Sequence, residues 1–450
     1  MKIVIVGLGK VGATIVENFS RENHELVVID SNEPCVESIV NVYDVKGVVG
    51  SASDREVLLS ANVDTADFFI SCTSKDELNI ISCILAKKLG AKSTIARVRD
   101  PEYFSEIENI KGDLGLDLAF NPEYQTAKEI NQILRFPSAK SVEEFTNTNV
   151  RMVEFDVADN NPIIGMSVMN IIKEYQCKVL FAVVKREEKA FIPRGNFVIE
   201  KGDVIHIFAT ENAIAQFTKK LNIFKPKAKS VFIIGGGKIA YYLAKQLEAE
   251  KSSVKILEHD ANRCKELSAN LKSATILNGD GADKTILTEE DFDKADACVS
   301  LTGIDEENVI ISLYAKQQNL SKVITSVDRH SMLDMANKLG LDTVLCPRDV
   351  IANTIIKFVR SHKRGVGAGI NSFYKIHNEV EVLEFNVDES FPYLNACLKD
   401  LPLKRNVLIG GIIRDGEFIL PSGDSSVKEG DKVLVVTSMQ LLTQLNETLN

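Results

Sequence analysis

Two short glycine-rich stretches carry the clearest chemistry in this chain: Gly7-Leu8-Gly9-Lys10-Val11-Gly12 and Gly235-Gly236-Gly237-Lys238-Ile239-Ala240. Each follows a short apolar run, and the two lie 228 positions apart (235 − 7). In a strand–turn–helix, the first glycine permits the tight turn and the second lets backbone approach a pyrophosphate. The third lets the helix pack close to the strand, and the fingerprint accepts an alanine such as Ala240 there. Exposed amides at the start of the helix, with its dipole, then attract a phosphate. Each copy also has an acidic residue at the end of the next apolar run, Asp30 and Glu258, again 228 apart (258 − 30). A carboxylate in that place accepts both hydroxyls of a ribose, which favours NAD(H) over NADP(H), whose 2′-phosphate it would repel. ATP and ADP carry the same ribose and stay open. One such motif is weak evidence; a duplicated motif with its acidic partner in both copies is strong.

Further polar groups repeat at an offset near 229. Gly50-Ser51-Ala52-Ser53-Asp54 matches Gly279-Asp280-Gly281-Ala282-Asp283, and Thr73-Ser74-Lys75-Asp76-Glu77 matches Thr302-Gly303-Ile304-Asp305-Glu306. Both pairs fall after expected strands, on the carboxyl edge where such sheets bind ligands. Ser53 and Asp280 are placed for the adenosine end of a nucleotide. Thr73 and Thr302 are either ribose or phosphate contacts or helix N-caps, while Asp54 and Asp283 suit N-caps. Lys10 and Lys238 recur beside the loop, either at a phosphate or as solvated first-turn lysines. Arg97 and Arg99 follow the fifth expected strand; one can reach a phosphate, and a surface salt bridge is the alternative for either.

The elements that must position these groups alternate. Strand-like runs cover 2–6, 26–30, 46–49, 67–72 and 93–97, and helix-like stretches cover 10–20, 33–41, 54–60, 76–89 and 123–135. Alternation implies parallel pairing, because a parallel connection needs a crossover, usually helical. Phe136-Pro137 ends the pattern. Residues 150–157 alternate in polarity, as a half-exposed antiparallel strand does. A helix pattern at 167–175 and strands near 178–185, 190–193 and 203–209 complete a small β-α-β-β-type α+β module. The second half repeats both units, with Ile192-Pro193-Arg194-Gly195-Asn196 matching Leu420-Pro421-Ser422-Gly423-Asp424 and Gly202-Asp203 matching Gly430-Asp431. The fold class is therefore α/β: two tandem Rossmann-like parallel-sheet domains (1–136 and 229–360), each followed by a small α+β lobe (137–220 and 370–450). Residues 361–369, glycine-rich and basic, read as a mobile linker or as a docking site for an anionic surface.

At 450 residues, with 45% hydrophobic and 26% charged residues, the chain is long enough for several cores. A net charge of −10 argues against general nucleic-acid binding. No apolar run approaches the roughly 20 residues that cross a bilayer, and Met1-Lys2 leads straight into a strand with no room for a signal peptide, so a cytoplasmic location is expected. The eight cysteines include no C-x-x-C pair and read as buried reduced thiols. The six histidines show no ligand spacing, so no metal site is expected.

A dehydrogenase would need an acid or base near the nicotinamide. His206 is the best-placed candidate in the small module, but its counterpart at 206 + 228 is Leu434, so a packed or half-exposed strand histidine is the better reading. No catalytic residue is assigned. Two nucleotide sites without visible chemistry point to ligand-controlled regulation, with an NAD-dependent oxidoreductase as the alternative.

The order of modules, both glycine loops, Ile95-Ala96-Arg97-Val98-Arg99 and Cys346-Pro347-Arg348-Asp349 resemble the TrkA family, peripheral subunits of Trk potassium-uptake systems. These are built from tandem RCK (regulator of potassium conductance, or KTN) domains. The resemblance covers essentially the whole chain. It implies binding of NAD(H), ATP or ADP, assembly into a homo-oligomeric ring (dimer or tetramer), and gating of a membrane potassium-translocating Trk subunit from the cytoplasmic face. Residue by residue, it places the first site at Gly7, Leu8, Gly9, Lys10, Val11, Gly12, Asp30, Thr73, Ser74 and Arg97. The second falls at Gly235, Gly236, Gly237, Lys238, Ile239, Glu258, Asp280 and Thr302. The triple glycine with Ala240 and the longer Glu258 are departures from the family pattern at the second site, so different nucleotides in the two sites would be unsurprising.

Overall fold

A computed structural model describes the chain except residues 23, 146–147, 188, 342, 363–369, 377–378, 440–441 and 443. Most of the expected linker at 361–369 thus lies outside the described residues. The chain forms two compact units: residues 1–130, 231–318 and 324–356 make the first, and 131–230, 319–323 and 357–450 the second. The units group lobes by kind rather than by half: the first holds both nucleotide-type lobes and the second both small lobes.

In the first unit, the N-terminal lobe runs β1 (Lys2–Val6), α1 (Lys10–Ser20), β2 (Glu25–Asp30), α2 (Glu33–Val40), β3 (Lys46–Val49), α3 (Arg55–Ser60), β4 (Phe68–Ser71), α4 (Asp76–Leu89), β5 (Ser93–Arg97), α5 (Pro101–Ile110), β6 (Leu118–Phe120) and α6 (Pro122–Arg135). The strands pair in parallel in the order β3-β2-β1-β4-β5-β6. The order reverses between β1 and β4, and doubly wound sheets bind ligands outside the carboxyl ends of the strands at such a switch point. Ile3, Val4 and Ile5 are fully buried, as strands covered on both faces must be. The sequence pattern matches these elements closely but missed α5 and β6. β6 has three residues, too few for a period to show.

The small lobe in the N-terminal half, part of the second unit, holds β7 (Val142–Glu144), β8 (Val150–Asp156), α7 (Val168–Tyr175), β9 (Leu180–Arg186), β10 (Lys189–Phe191), β11 (Val204–Thr210) and α8 (Glu211–Lys220). Its antiparallel order is β10-β9-β11-β8-β7.

The second nucleotide-type lobe, in the first unit, runs β12 (Ser230–Ile234), α9 (Lys238–Ala249), β13 (Ser253–Glu258), α10 (Ala261–Asn270), β14 (Thr275–Asn278), α11 (Lys284–Glu289), β15 (Ala297–Ser300), α12 (Asp305–Gln317), β16 (Lys322–Ser326), α13 (His330–Lys338), β17 (Val344–Leu345) and α14 (Pro347–Ser361). Its order, β14-β13-β12-β15-β16-β17, repeats that of the first sheet.

The last lobe, in the second unit, has β18 (Ile370–Ile376), β19 (Val380–Asn386), β20 (Val407–Arg414), β21 (Glu417–Ile419) and β22 (Lys432–Thr437), ordered β18-β19-β22-β20-β21. The counterpart of α7 is only a 3-10 turn, Leu398–Asp400. Ser167 caps α7 by accepting from the Asn170 amide, whereas Cys397 makes no such bond and Leu401 precedes Pro402, which forces it extended. Both small lobes keep one bidentate ion pair. Arg186 donates to both oxygens of Asp203 at 2.8 and 2.9 Å, and Arg414 to both of Asp431 at 2.8 Å. Phe145 and Phe208 pack with Val382, Leu434 and Val436, joining the two antiparallel sheets in one core. No helix among the described residues is long and apolar enough to cross a membrane.

Candidate nucleotide sites

The glycine loops have the backbone that the turn requires. Gly7 has φ +86° and Gly235 φ +99°, a region L side chains rarely adopt. A Cβ on Gly7 would sit 2.7 Å from the Thr73 amide nitrogen, and one on Gly235 2.5 Å from the Leu301 carbonyl. The loop after β1 therefore rests directly on the loop after β4, and the β12 loop on the β15 loop. A Cβ on Gly12 would come within 1.9 Å of the Gly7 carbonyl oxygen. Gly9 and Gly237 behave differently: a Cβ on either meets nothing within 4 Å. Packing does not explain them, and each faces open space at the start of α1 or α9.

Both residues are N-caps without a side-chain hydrogen bond, and neither helix has an acidic residue in its first turn. The first-turn amides thus keep their capacity for an anion. Asp54 and Asp283, in contrast, cap α3 and α11 by accepting from the Glu56 and Thr285 amides.

Asp30 sits at the end of β2 and accepts the Leu8 amide at 2.7 Å and the Asn32 amide at 2.9 Å. Each oxygen keeps a further lone pair for a ribose hydroxyl. Glu258 is only 7% exposed. Its oxygens accept the Gly236 amide at 2.6 Å and the Asp260 amide at 2.8 Å, and His259 Nδ1 lies 2.9 Å away. Glu258 is thus more committed to its own loop than Asp30.

Thr73 and Thr302 are not helix caps; Lys75 and Ile304 hold those positions. Each threonine hydroxyl donates to an asparagine, Thr73 to Asn79 at 2.7 Å and Thr302 to Asn308 at 2.9 Å. Asn79 also donates to the carbonyls of Thr73 and Arg97, and Asn308 to those of Thr302 and Ser326. Both asparagines are buried, and each ties two loops of the carboxyl edge together. The repeated Thr-x5-Asn spacing was visible in sequence, but its bracing role was not.

Around the second loop lies a cavity of about 610 Å³. Its lining includes Gly235, Gly236, Gly237, Glu258, Asp280 and Thr302, so six sequence-derived positions converge on it. Lys238 is exposed at the first turn of α9, and Ile239 instead lines a cleft of about 430 Å³ shared by the two nucleotide-type lobes. Lys10, Val11 and Arg97 of the first lobe line this cleft too, with Thr302, Asp328 and Arg348 of the second. Lys10 pairs with Asp328 at 2.8 Å, and Arg99 pairs with Glu123 at 2.6 Å, so these cations have protein partners. Arg97 is less satisfied: its buried Nε has no hydrogen-bond partner, and neither has that of Arg348. Burial and the neighbouring Arg99 pull the Arg97 guanidinium below its ordinary range. Two buried donors without acceptors in one cleft fit an anionic group. Ser53 and Ser74 are exposed, and Ser53 lies 2.8 Å from the Ser51 hydroxyl.

His206 lies in β11 of a small lobe and is buried. Of the eight free cysteines, Cys72, Cys83, Cys177, Cys298 and Cys346 are buried, while Cys35, Cys264 and Cys397 are half-buried. Burial pushes the Cys72 thiol up to about 12.

The TrkA-N domain model matches residues 3–122 and 231–347, and the TrkA-C domain model matches 152–222 and 382–450. The Trk system potassium uptake protein TrkA homolog 1 of Methanosarcina mazei is 31% identical over 456 residues, covering 99% of each chain. The Trk system potassium uptake protein TrkA of Vibrio alginolyticus is 28% identical over 442 residues, covering 97% of this chain and 95% of its own. Among solved structures, the GsuK channel bound to NAD superposes with a TM-score of 0.63 at 16% identity, over 98% of this chain and 77% of that one. At that identity the likeness concerns the fold. With both domain models matched twice along the chain, and full-length relatives at this identity, the protein belongs to the TrkA family.

Proposed function

We propose that this chain is the peripheral regulatory subunit of a Trk-type potassium uptake system. In this reading it binds NAD(H) or adenine nucleotides in its two glycine-loop cradles. It assembles into a homo-oligomeric ring on the cytoplasmic face of a membrane potassium-translocating subunit and gates that subunit. The observation that carries the reading is the pair of open, uncapped helix starts at Gly9 and Gly237, each with a carboxylate on its own loop. The names of the full-length relatives supply the potassium-uptake context.

The role is regulatory rather than catalytic. The two halves share cradle features, while the histidine best placed for acid–base chemistry is buried in a strand of a small lobe. A nucleotide shifts the protein between arrangements only by its difference in affinity for them. A tenfold difference supplies about 1.4 kcal/mol per site, so several sites must act together for a firm switch. Arg97 and Arg348, each with an unpartnered buried Nε in the interlobe cleft, are placed to read a phosphate there, which would make the cleft sensitive to the nucleotide's charge.

Calorimetric titration of the purified chain with NAD⁺, NADH, ATP and ADP tests this. The expected result is saturable binding of at least one of them, with Asp30→Ala weakening the first site about tenfold or more. No binding of any of the four overturns the reading; unchanged affinity in Asp30→Ala removes the ribose assignment.

A further inference from the structure

We propose that His330, Cys346 and Asp349 form a binding site for a zinc-class divalent cation beside the interlobe cleft. Spacing along the chain gave no hint of it, because one residue heads α13, one follows β17 and one lies in the first turn of α14. Folding gathers them: one ligand atom from each lies within 4.8 Å of the other two. Ligand atoms around tetrahedral zinc stand about 3.5 Å apart, as bond lengths of about 2.0–2.3 Å require. His330 Nε2 and Asp349 Oδ1 already have that separation, 3.5 Å. Small side-chain rotations would bring the Cys346 sulfur onto the same ion.

The donor set selects the metal. Thiolate, imidazole and carboxylate suit zinc and its borderline neighbours, whereas magnesium and calcium prefer oxygen alone. One thiolate and one carboxylate neutralise a dication, and the metal displaces the thiol proton on binding. The supports are rigid. Cys346 is 3% exposed and directly follows the β17 strand, whose Leu345 pairs with Ser326 of β16. The His330 side chain is 58% exposed, which leaves an entry path and a fourth position for water.

The location gives the site a consequence, and this part rests on the nucleotide reading above. Asp328 stands two residues before His330, and Arg348 lies between Cys346 and Asp349. Both line the interlobe cleft, 3.4 Å apart. A metal that ties the start of α13 to the start of α14 fixes these two walls relative to each other. Zinc is therefore expected to change nucleotide affinity several-fold.

Cobalt(II) titration of the full chain tests the site through a thiolate-to-metal charge-transfer band in the near ultraviolet. One saturating equivalent giving that band, its loss in Cys346→Ser, and an affinity about tenfold or more weaker in His330→Gln would support the site. His330 is exposed, so that variant keeps the fold whatever happens at Cys346. Absence of the band in the native chain, its survival in Cys346→Ser, or unchanged affinity in His330→Gln overturns the proposal. The nucleotide titration is repeated with zinc present. A cobalt band with no nucleotide binding in either condition sinks the nucleotide reading and leaves the metal site. Equal nucleotide affinities with and without zinc sink the coupling alone.

Discussion

At the scale of single residues, the glycines divide by what surrounds them. Gly12 is a packing glycine: its added Cβ would press 1.9 Å from the Gly7 carbonyl. Gly12→Ala must shift α1 away from β1, at a cost of about 1–3 kcal/mol in denaturant unfolding, together with loss of binding at the first site. Gly9 has open space on that side and φ −65°, which alanine adopts freely. Gly9→Ala should change stability by less than about 1 kcal/mol, so any loss of binding in it reports ligand approach rather than folding. Glu258 presents a third case. Its buried carboxylate accepts two backbone amides, so Glu258→Ala is expected to destabilise the second lobe by about 1–3 kcal/mol, read as a lower unfolding midpoint. These distinctions were only partly legible in sequence. The motif named the glycines and their acids, because the turn and the pyrophosphate impose residue types at fixed spacing. It could not separate a glycine kept for packing from one kept open, and it could not see Glu258 bound to its own loop.

At the scale of elements, the recurring constraint is a buried carboxylate that holds backbone. Asp203 is fully buried and receives both arms of Arg186 as well as the Glu200 amide. Asp203→Ala takes the acceptor from the Glu200 amide and from Arg186 Nε, leaving Arg186 only the Val198 carbonyl and Glu200, and should cost about 3 kcal/mol, with Asp431→Ala similar in the last lobe; chemical denaturation measures both. Asp305, at the start of α12, ties down the loop after β16 through the Asp328 and Arg329 amides. Burial opposes its charge, but those amides and the Arg329 guanidinium prevail and hold its carboxyl below the ordinary range. A depressed folded value means the support is complete above about pH 4, where the unfolded carboxyl ionises, and fades as pH falls through the folded value. Asp305→Asn should accordingly remove part of the loss of stability on acidification, while already lowering stability at neutral pH. Periodicity revealed most elements because their apolar faces recur over enough residues to count. It missed β6, which is too short, and the repeat that returns the small module does not reveal that the counterpart of α7 is only a 3-10 turn ahead of Pro402. The His330, Cys346 and Asp349 cluster lay beyond any such reading, since only the β16–β17 pairing brings its elements side by side.

At the scale of the whole molecule, a duplicated sequence has produced two lobes of like topology with unlike candidate sites. The first carries Asp30, half-exposed and with lone pairs to spare. The second carries Glu258, bound to the equivalent pair of amides but buried and with His259 Nδ1 beside it, at a cavity of about 610 Å³. The cleft shared by the two lobes adds Arg97 from one and Arg348 from the other. A regulator built this way can answer two nucleotides, or two charge states of one, with different strengths. Potassium uptake by cells expressing the membrane subunit should therefore respond differently to a defect in each cradle, and Gly9→Ala and Gly237→Ala strains with unequal uptake rates would show it. The central claim, that the open glycines are ligand cradles, is tested most directly by calorimetry on the Gly9→Ala, Gly237→Ala double variant. The prediction is an unfolding transition close to that of the native chain with adenine-nucleotide binding abolished. Binding of native strength in that folded double variant would contradict the account.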